Sequence, residues 1–171
     1  MSFLPGKFTA FAASKFRHSG PDCLATSNDL DERLVRAAQQ TGYRRDARLH
    51  AVDCIEYPNL AIAGIAAAYL ALGGYEGKSI DPKLAAVFQA ALGVSRDEAD
   101  GLAYLGRWFV TECQGAEHAL PRLARKLDRL SGPDGLPRCM GVIAALTRIP
   151  AGALTPERST ALSDMRRIFR L

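Results

Sequence analysis

The stretch that most constrains the fold of this chain runs from Ala61 to Val94. Its first arm, Ala61 to Leu72, is apolar almost throughout, and its second arm runs from Asp81-Pro82 to Leu92. A polar turn, Gly73 to Ile80, separates the two arms. Because a helix that is apolar on every side must be covered by other elements, the stretch predicts a helical hairpin at the centre of a domain, with its first arm buried.

Length and composition favour one helical domain. The chain has 171 residues, of which 48% are hydrophobic and 23% charged, as in an ordinary soluble protein. Alanine is abundant and aromatic residues are few, which favours close-packed helices over strands. We predict a single all-α domain over residues 28–171, preceded by an N-terminal amphipathic helix and linker over residues 1–27.

Charge and hydropathy point to a cytoplasmic protein. The net charge is +4, a mild excess that does not by itself indicate a nucleic-acid partner. The longest apolar run, Leu60 to Leu72, is too short to span a bilayer, and Met1 to His18 lacks the apolar core of a secretory signal. The cysteines are spaced too far apart for a metal-binding pair and are expected to be reduced thiols: Cys23, Cys54, Cys113 and Cys139.

The N-terminal segment has one aromatic face and one basic face. Lys7, Lys15 and Arg17 lie opposite the aromatic side of the predicted helix. We favour docking of the aromatic face on the core of the domain itself. Contact with a membrane surface is the alternative, and its candidate residues are Phe3, Phe8, Phe11 and Phe16.

Two helices are predicted before the central hairpin. The run Ser27-Asn28-Asp29 supplies residues that commonly cap a helix start, and the helix would extend to Gln40. The segment that follows Tyr43 is predicted to form another helix, because it spaces four apolar residues over two turns: Leu49, Ala51, Val52 and Ile55.

Two further helices are predicted after the hairpin. Ser95-Arg96-Asp97-Glu98 matches the capping box, in which serine and glutamate side chains bind the free backbone N–H groups of a helix start. That helix is expected to reach about Cys113. The next helix spans about Glu117 to Leu130, and Pro121 places its expected start nearer Ala119, since proline is best tolerated in the first turn.

A second hairpin over residues 137–171 resembles the first, which covers residues 58–94. In both, an alanine-rich arm leads through a glycine-bearing turn to a helix that begins with a capping residue and proline. Thr155-Pro156 corresponds to Asp81-Pro82, so that Arg158 stands at the position of Leu84. The pattern indicates an internal duplication within one domain.

Three motifs give this chain its resemblance to the TerB-like (tellurite-resistance) helical family. They are two helix-start turns, Gly77-Lys78-Ser79-Ile80-Asp81-Pro82 and Gly152-Ala153-Leu154-Thr155-Pro156-Glu157, and between them the helix start Gly93 to Ala99. The resemblance covers about residues 58–171. It implies two pseudo-repeated helical hairpins and a role as an interaction or stress-response module of a bacterial cytoplasm, where the concavity between the turns is the working surface.

The family resemblance also implies a divalent-metal site in the turns. Members often carry aspartate directly before each turn glycine, whereas this chain has Glu76 and Ala151 at those positions. The carboxylates available to a cation such as calcium are Glu76, Asp81 and Glu157. The alternative is that these carboxylates only stabilise helix N-termini; beyond this divalent cation, no cofactor is expected.

A basic helix face is the other candidate surface. Arg122, Arg125, Lys126 and Arg129 recur on one side of the helix that follows Pro121. They could bind anionic lipid, nucleic acid or an acidic protein, or form an ordinary solvated face. Nucleic acid is the least expected ligand, because no aromatic residue alternates with these charges to stack on bases.

No catalytic motif is present in the sequence. A thiol and an imidazole such as Cys113 and His118, which are five residues apart, could suggest a nucleophile and base, but nothing orients the imidazole. We therefore expect a non-enzymatic protein that works through an unidentified protein partner in the cytoplasm, with membrane-peripheral binding as an alternative.

Overall fold

The structure, a computed structural model, describes residues 23–75 and 78–170. The predicted N-terminal aromatic helix, with Phe3, Phe8, Phe11 and Phe16, lies outside these residues, as does Glu76. The helical class is confirmed, since no strand occurs within either described range. The helices are α1 (Cys23–Thr41), α2 (Pro58–Ala71), α3 (Asp81–Leu92), α4 (Arg96–Glu112), α5 (Ala116–Ser131), α6 (Gly135–Leu146) and α7 (Pro156–Ile168).

Helix α2 is the centre of the fold, as its apolar sequence predicts. Every residue from Leu60 to Leu70 is buried, and the helix packs mainly against α4 and α5 and less extensively against α6. Small residues allow these helices to approach closely. A Cβ atom added at Gly106 of α4 would lie 2.5 Å from the carbonyl oxygen of Ala63, so a larger residue would push the two helices apart.

The two predicted hairpins are not packed pairs of helices. Helix α3 has only a marginal contact with α2 and packs on α4 and α6 instead. Helix α7 packs on α5, and it has little or no direct contact with α6. The reason lies in the short apolar stripe of α3, whose buried residues are only Leu84, Ala85 and Phe88; a stripe of this size is covered by the two helices that flank it.

The segment between α1 and α2 differs from its prediction. The expected helix is replaced by an irregular stretch with one 3-10 turn, Ala51–Cys54. The side chain of Asp46 accepts a hydrogen bond from the backbone N–H of Arg48, and the side chain of His50 accepts one from the N–H of Val52. Such local bonds compete with helix formation, so the apolar residues are buried without a regular helix, except for the half-exposed Leu49.

Helix boundaries agree with the sequence in some places and not in others. The hydroxyl of Ser95 accepts a hydrogen bond from the backbone N–H of Glu98, which confirms the predicted cap of α4. Helix α1 begins at Cys23, so the Ser27-Asn28-Asp29 run lies inside it and does not cap it. Helix α5 begins at Ala116, three residues before the predicted start, and Pro121 lies inside it; the carbonyl that loses its partner belongs to the exposed Glu117, where water can replace the bond.

A candidate anion-binding groove and the predicted sites

The turns before α3 and α7 meet through one buried arginine. Arg158 of α7 is 1% exposed. Its Nε donates to the carbonyl oxygen of Tyr69 at 2.7 Å, and its Nη2 donates to that of Leu70 at 2.9 Å. Its Nη1 donates to the carbonyl oxygen of Ala153 at 2.5 Å. The guanidinium therefore joins the C-terminal end of α2 to the turn that precedes α7.

The surroundings of Arg158 are fitted closely to it. The ring of Tyr69 lies 4.8 Å from the guanidinium carbon and that of Tyr75 lies 5.7 Å from it, within the range of cation–π attraction. The hydroxyl of Tyr69 donates to the carbonyl oxygen of Gly152 at 3.1 Å. A Cβ atom at Gly73 would overlap the guanidinium. The space between the turns, expected from the family resemblance to be the working surface, is thus filled by the protein's own cation.

The structure describes two of the three predicted metal ligands, Asp81 and Glu157, and each has other contacts. Asp81 is paired with Arg107 of α4, with 2.6 Å between Oδ2 and Nη2. Glu157 is exposed in the first turn of α7, where hydrogen bonds from its own backbone N–H and from Thr155 lower the pKa of its carboxyl. No group of three metal-ligating side chains occurs among the residues described. The metal site remains a prediction, because Glu76 lies outside those residues.

The predicted basic face of α5 is partly used inside the molecule. Arg122 pairs with Asp53 of the 3-10 turn at 3.1 Å, and the Nζ of Lys126 donates to the carbonyl oxygen of Asp53 at 2.9 Å. Arg125 and Arg129 are exposed. Two of the four cations therefore hold the irregular segment against α5, and the other two project into solvent from a convex surface.

Cys113 and His118 lie in different environments. The Cys113 side chain is buried, and burial raises the pKa of its thiol, which favours the unreactive protonated form. His118 is exposed in the first turns of α5. The geometry gives no support to a reactive thiolate at this position.

A groove that the sequence analysis missed lies between α1, α3 and α4. Its volume is about 680 Å³, which is within the range of about 300–1,000 Å³ that is usual for ligand pockets. Ala37, Ala85 and Ala86 contribute its small apolar residues. Its cations give it the name used below, the arginine groove: Arg33 and Arg36 from α1 and Arg96 from α4.

The cations of the arginine groove have no ion-pair partner among the side chains that the structure describes. The ion pairs found between those side chains involve none of Arg33, Arg36 and Arg96. Arg33 lies over the ring of Tyr104, with 5.4 Å between the guanidinium carbon and the ring centroid. The groove also contains two carboxylates, Asp100 and the paired Asp81, and two amides, Gln40 and Gln89.

Part of the arginine groove could have been found from the sequence. Arg33, Arg36 and Gln40 recur at a spacing of three and four residues, which places them on one face of a helix. Arg96 was interpreted only as part of a capping box. Nothing in the sequence indicated that the face of α1 and the start of α4 lie together, because their contact depends on the packing of α1 on α4.

No protein-family model, curated protein or solved structure matches this chain. Helices α1 to α7, as far as they are described, include none that is both long enough and apolar enough to cross a bilayer.

Proposed function

We propose that this protein is a non-enzymatic binding module that takes an anionic ligand in the arginine groove. The observation that carries the proposal is the convergence of Arg33, Arg36 and Arg96 on one concavity, where none of the described carboxylates is paired to any of them. Arginine is well suited to this role, because its planar guanidinium presents several N–H donors to a carboxylate or phosphate group.

The scaffold around the groove supports this role. The three arginines project from helices, and α1 and α3 both pack on α4. The pair between Asp81 and Arg107 fixes the start of α3 at the groove. Sites built on packed helices need less ordering when a ligand binds, which leaves more of the interaction energy for affinity.

The basic face of α5 is the second candidate for the same function. Arg125 and Arg129 are exposed and accessible to an anionic surface, and this face was the second candidate from the sequence, after the concavity between the two turns. We rank it below the groove, because Arg122 and Lys126 already bind Asp53 and its carbonyl. Exposed charges on a convex helix also lack the convergence that gives selectivity.

The TerB-like assignment belongs to the proposal as well. It is supported by the capped helix starts at Ser95 and Thr155 and by the meeting of the two turns at Arg158. A cytoplasmic interaction or stress-response role follows from that assignment alone.

Anion titration with two matched double variants tests the proposal. Tripolyphosphate, citrate and a glutamate-rich peptide are titrated by calorimetry into the wild type, into Arg36→Glu/Arg96→Glu and into Arg125→Glu/Arg129→Glu. All four residues are exposed, so both variants change net charge equally at little cost in folding. At least one anion is expected to bind the wild type and the α5 variant and to bind the groove variant at least tenfold more weakly.

Two outcomes would overturn the proposal. If only the α5 variant loses affinity for the anions, the binding site is the basic face of α5. If none of the three anions binds the wild type at low salt, the protein does not bind an anionic ligand of this kind. Circular dichroism and thermal unfolding of each variant serve as the folding control.

A further inference from the structure

We propose that the ligand of the arginine groove is an acidic peptide segment of a partner protein, a statement that rests on the proposed function. Three features of the groove separate a peptide from the other anions: its concave shape, its mixture of charges and its two amide side chains.

The shape of the groove disfavours flat anionic surfaces. The groove is bounded by the sides of α1 and α3, and α4 contributes Tyr104 and Asp100 between them. A lipid headgroup layer is planar over the width of two helices, so it would meet the exposed rims before it reached Tyr104 or the alanines. A single extended chain is narrow enough to lie along the groove.

The mixture of charges disfavours dense polyanions. Asp100 stands one helical turn after Arg96 on α4, so the two side chains lie on one face. A nucleic acid carries a phosphate on every nucleotide. When two phosphates bind the arginines, a neighbouring phosphate would lie beside Asp100 and be repelled by its carboxylate. A peptide can place glutamates at the arginines and a neutral or basic residue beside Asp100.

The amides of the groove fit a peptide backbone. Gln40 and Gln89 each carry two N–H donors and a carbonyl acceptor, and both line the groove. A peptide offers an acceptor and a donor at nearly every residue, so it can use both ends of each amide. The phosphodiester backbone of DNA offers only acceptors to the same side chains. The small residues Ala37, Ala85 and Ala86 leave room for the chain itself.

Competition binding tests this inference with defined probes. A fluorescein-labelled peptide with alternating glutamate and alanine and one central lysine is titrated with the full chain. Unlabelled competitors are a glutamine-for-glutamate version of the peptide, a single-stranded oligonucleotide of equal charge, and vesicles that contain one-third anionic lipid. We expect binding of the acidic peptide, at least tenfold weaker binding of the glutamine version, and at least fivefold weaker competition from oligonucleotide and vesicles.

The variant Asp100→Asn gives a second readout that does not depend on the loss of affinity. Removal of this carboxylate is expected to strengthen oligonucleotide binding at least threefold while the affinity for the lysine-containing peptide falls or stays constant. The exposed variant Asp97→Asn, one turn earlier and outside the groove, serves as its control.

The outcomes separate this inference from the proposed function. Tighter binding of oligonucleotide or vesicles than of peptide, abolished by Arg36→Glu/Arg96→Glu, would overturn the peptide assignment and leave the anion-binding function in place. If the groove variant binds every probe as the wild type does, both the inference and the proposed function fail. An equal gain in affinity for peptide and oligonucleotide in Asp100→Asn would also overturn the peptide assignment.

Discussion

The two helix starts that are marked by proline, Asp81-Pro82 and Thr155-Pro156, look alike in sequence and are held in place by different means. Thr155 caps α7 with its hydroxyl, whereas Asp81 is the first residue of α3 and pairs with Arg107 instead of capping. Three residues after Asp81 and three residues after Thr155, a side chain points into the protein. Leu84 there enters the apolar core, and Arg158 reaches back to carbonyl groups of α2.

The difference shows that one local pattern supports two kinds of tertiary anchor. Leu84 is stabilised by the apolar area that it buries, which requires only apolar neighbours. Arg158 is stabilised by three hydrogen bonds in specified directions, which depend on carbonyl groups at the end of α2 and in the turn before α7. Exchange of Leu84 and Arg158 tests this difference most directly.

The largest effect is expected from Leu84→Arg. This variant gives the first helix start the residue of the second, but at a fully buried position inside the apolar core. Burial of a charge without arranged partners costs about 4 kcal/mol or more, so loss of cooperative unfolding by circular dichroism is expected. The exposed neighbour Lys83→Ala should change the free energy of unfolding by less than about 0.5 kcal/mol; a stable Leu84→Arg would show that this position has polar partners after all.

The reverse exchange, Arg158→Leu, is expected to cost about 3 kcal/mol of unfolding free energy in urea titrations, because it removes three hydrogen bonds and takes the guanidinium donor from the buried carbonyl group of Tyr69. Arg158→Lys keeps the charge and loses the planar group, and an intermediate loss is expected. Arg166→Leu, on the exposed side of the same helix, is the matched control. Equal stability of Arg158→Leu and the wild type would mean that the join between the turns is dispensable.

A smaller effect is expected from Asp81→Asn, which weakens the anchor of the first helix start. The Asp81 and Arg107 side chains are about one-fifth exposed and meet through two hydrogen bonds. A loss of about 1 kcal/mol is expected, with a similar coupling energy in a double-mutant cycle with Arg107→Gln. Asp164→Asn should lose less unfolding free energy, because its partner Arg167 is mostly exposed. A larger loss in Asp164→Asn than in Asp81→Asn would show that Asp81 is only a solvated charge.

The smallest effect concerns alkaline pH and the phenol of Tyr69. Burial raises its pKa above the ordinary value of 10.0, and Arg158 opposes that shift. Since the unfolded state loses this proton first, the stability contributed by the neutral phenol is present below pH 10 and is lost as the pH rises through the folded-state pKa. Tyr69→Phe should lose about 1 kcal/mol at neutral pH and show a shallower decline in urea stability between about pH 9 and pH 11.

Tyr43→Phe gives the comparison for that experiment. Its phenol is also buried, its pKa is also raised, and it donates to the carbonyl oxygen of Ala51 far from the two turns. The two variants should flatten the alkaline decline independently. If the unfolding free energy of Tyr69→Phe declines with alkaline pH as steeply as that of the wild type, the hydroxyl of Tyr69 does not stay protonated in the folded state.

Features that depend on a few neighbouring residues could be predicted from the sequence. The caps at Ser95 and Thr155 are confirmed, since each hydroxyl meets a backbone N–H three residues ahead. The burial of α2 is confirmed, because no other arrangement hides eleven consecutive apolar or small residues. The helix predicted around Asp46 was wrong. The spacing of its apolar residues fits a helix, but its polar side chains form local hydrogen bonds that compete with helix formation.

The candidate sites could not be predicted to the same extent. Of the carboxylates that the sequence grouped as metal ligands, Asp81 and Glu157 line different concavities, and Asp81 has an arginine partner on another helix. The arginines that share a groove come from two helices that the sequence gave no reason to pair. Local spacing shows which residues share one helix face, but not which two faces meet.

By itself, the sequence determined that the chain is helical, that α2 is buried, and where several helices begin, because these properties follow from hydrophobic periodicity and from hydrogen bonds between near neighbours. Only the tertiary structure decided that Arg158 turns inward and that Arg33, Arg36 and Arg96 face one groove. A buried arginine needs hydrogen-bond acceptors within reach. The carbonyl groups of Tyr69 and Leu70 that accept from Arg158 lie almost ninety positions earlier in the chain, and packing alone brings them to it.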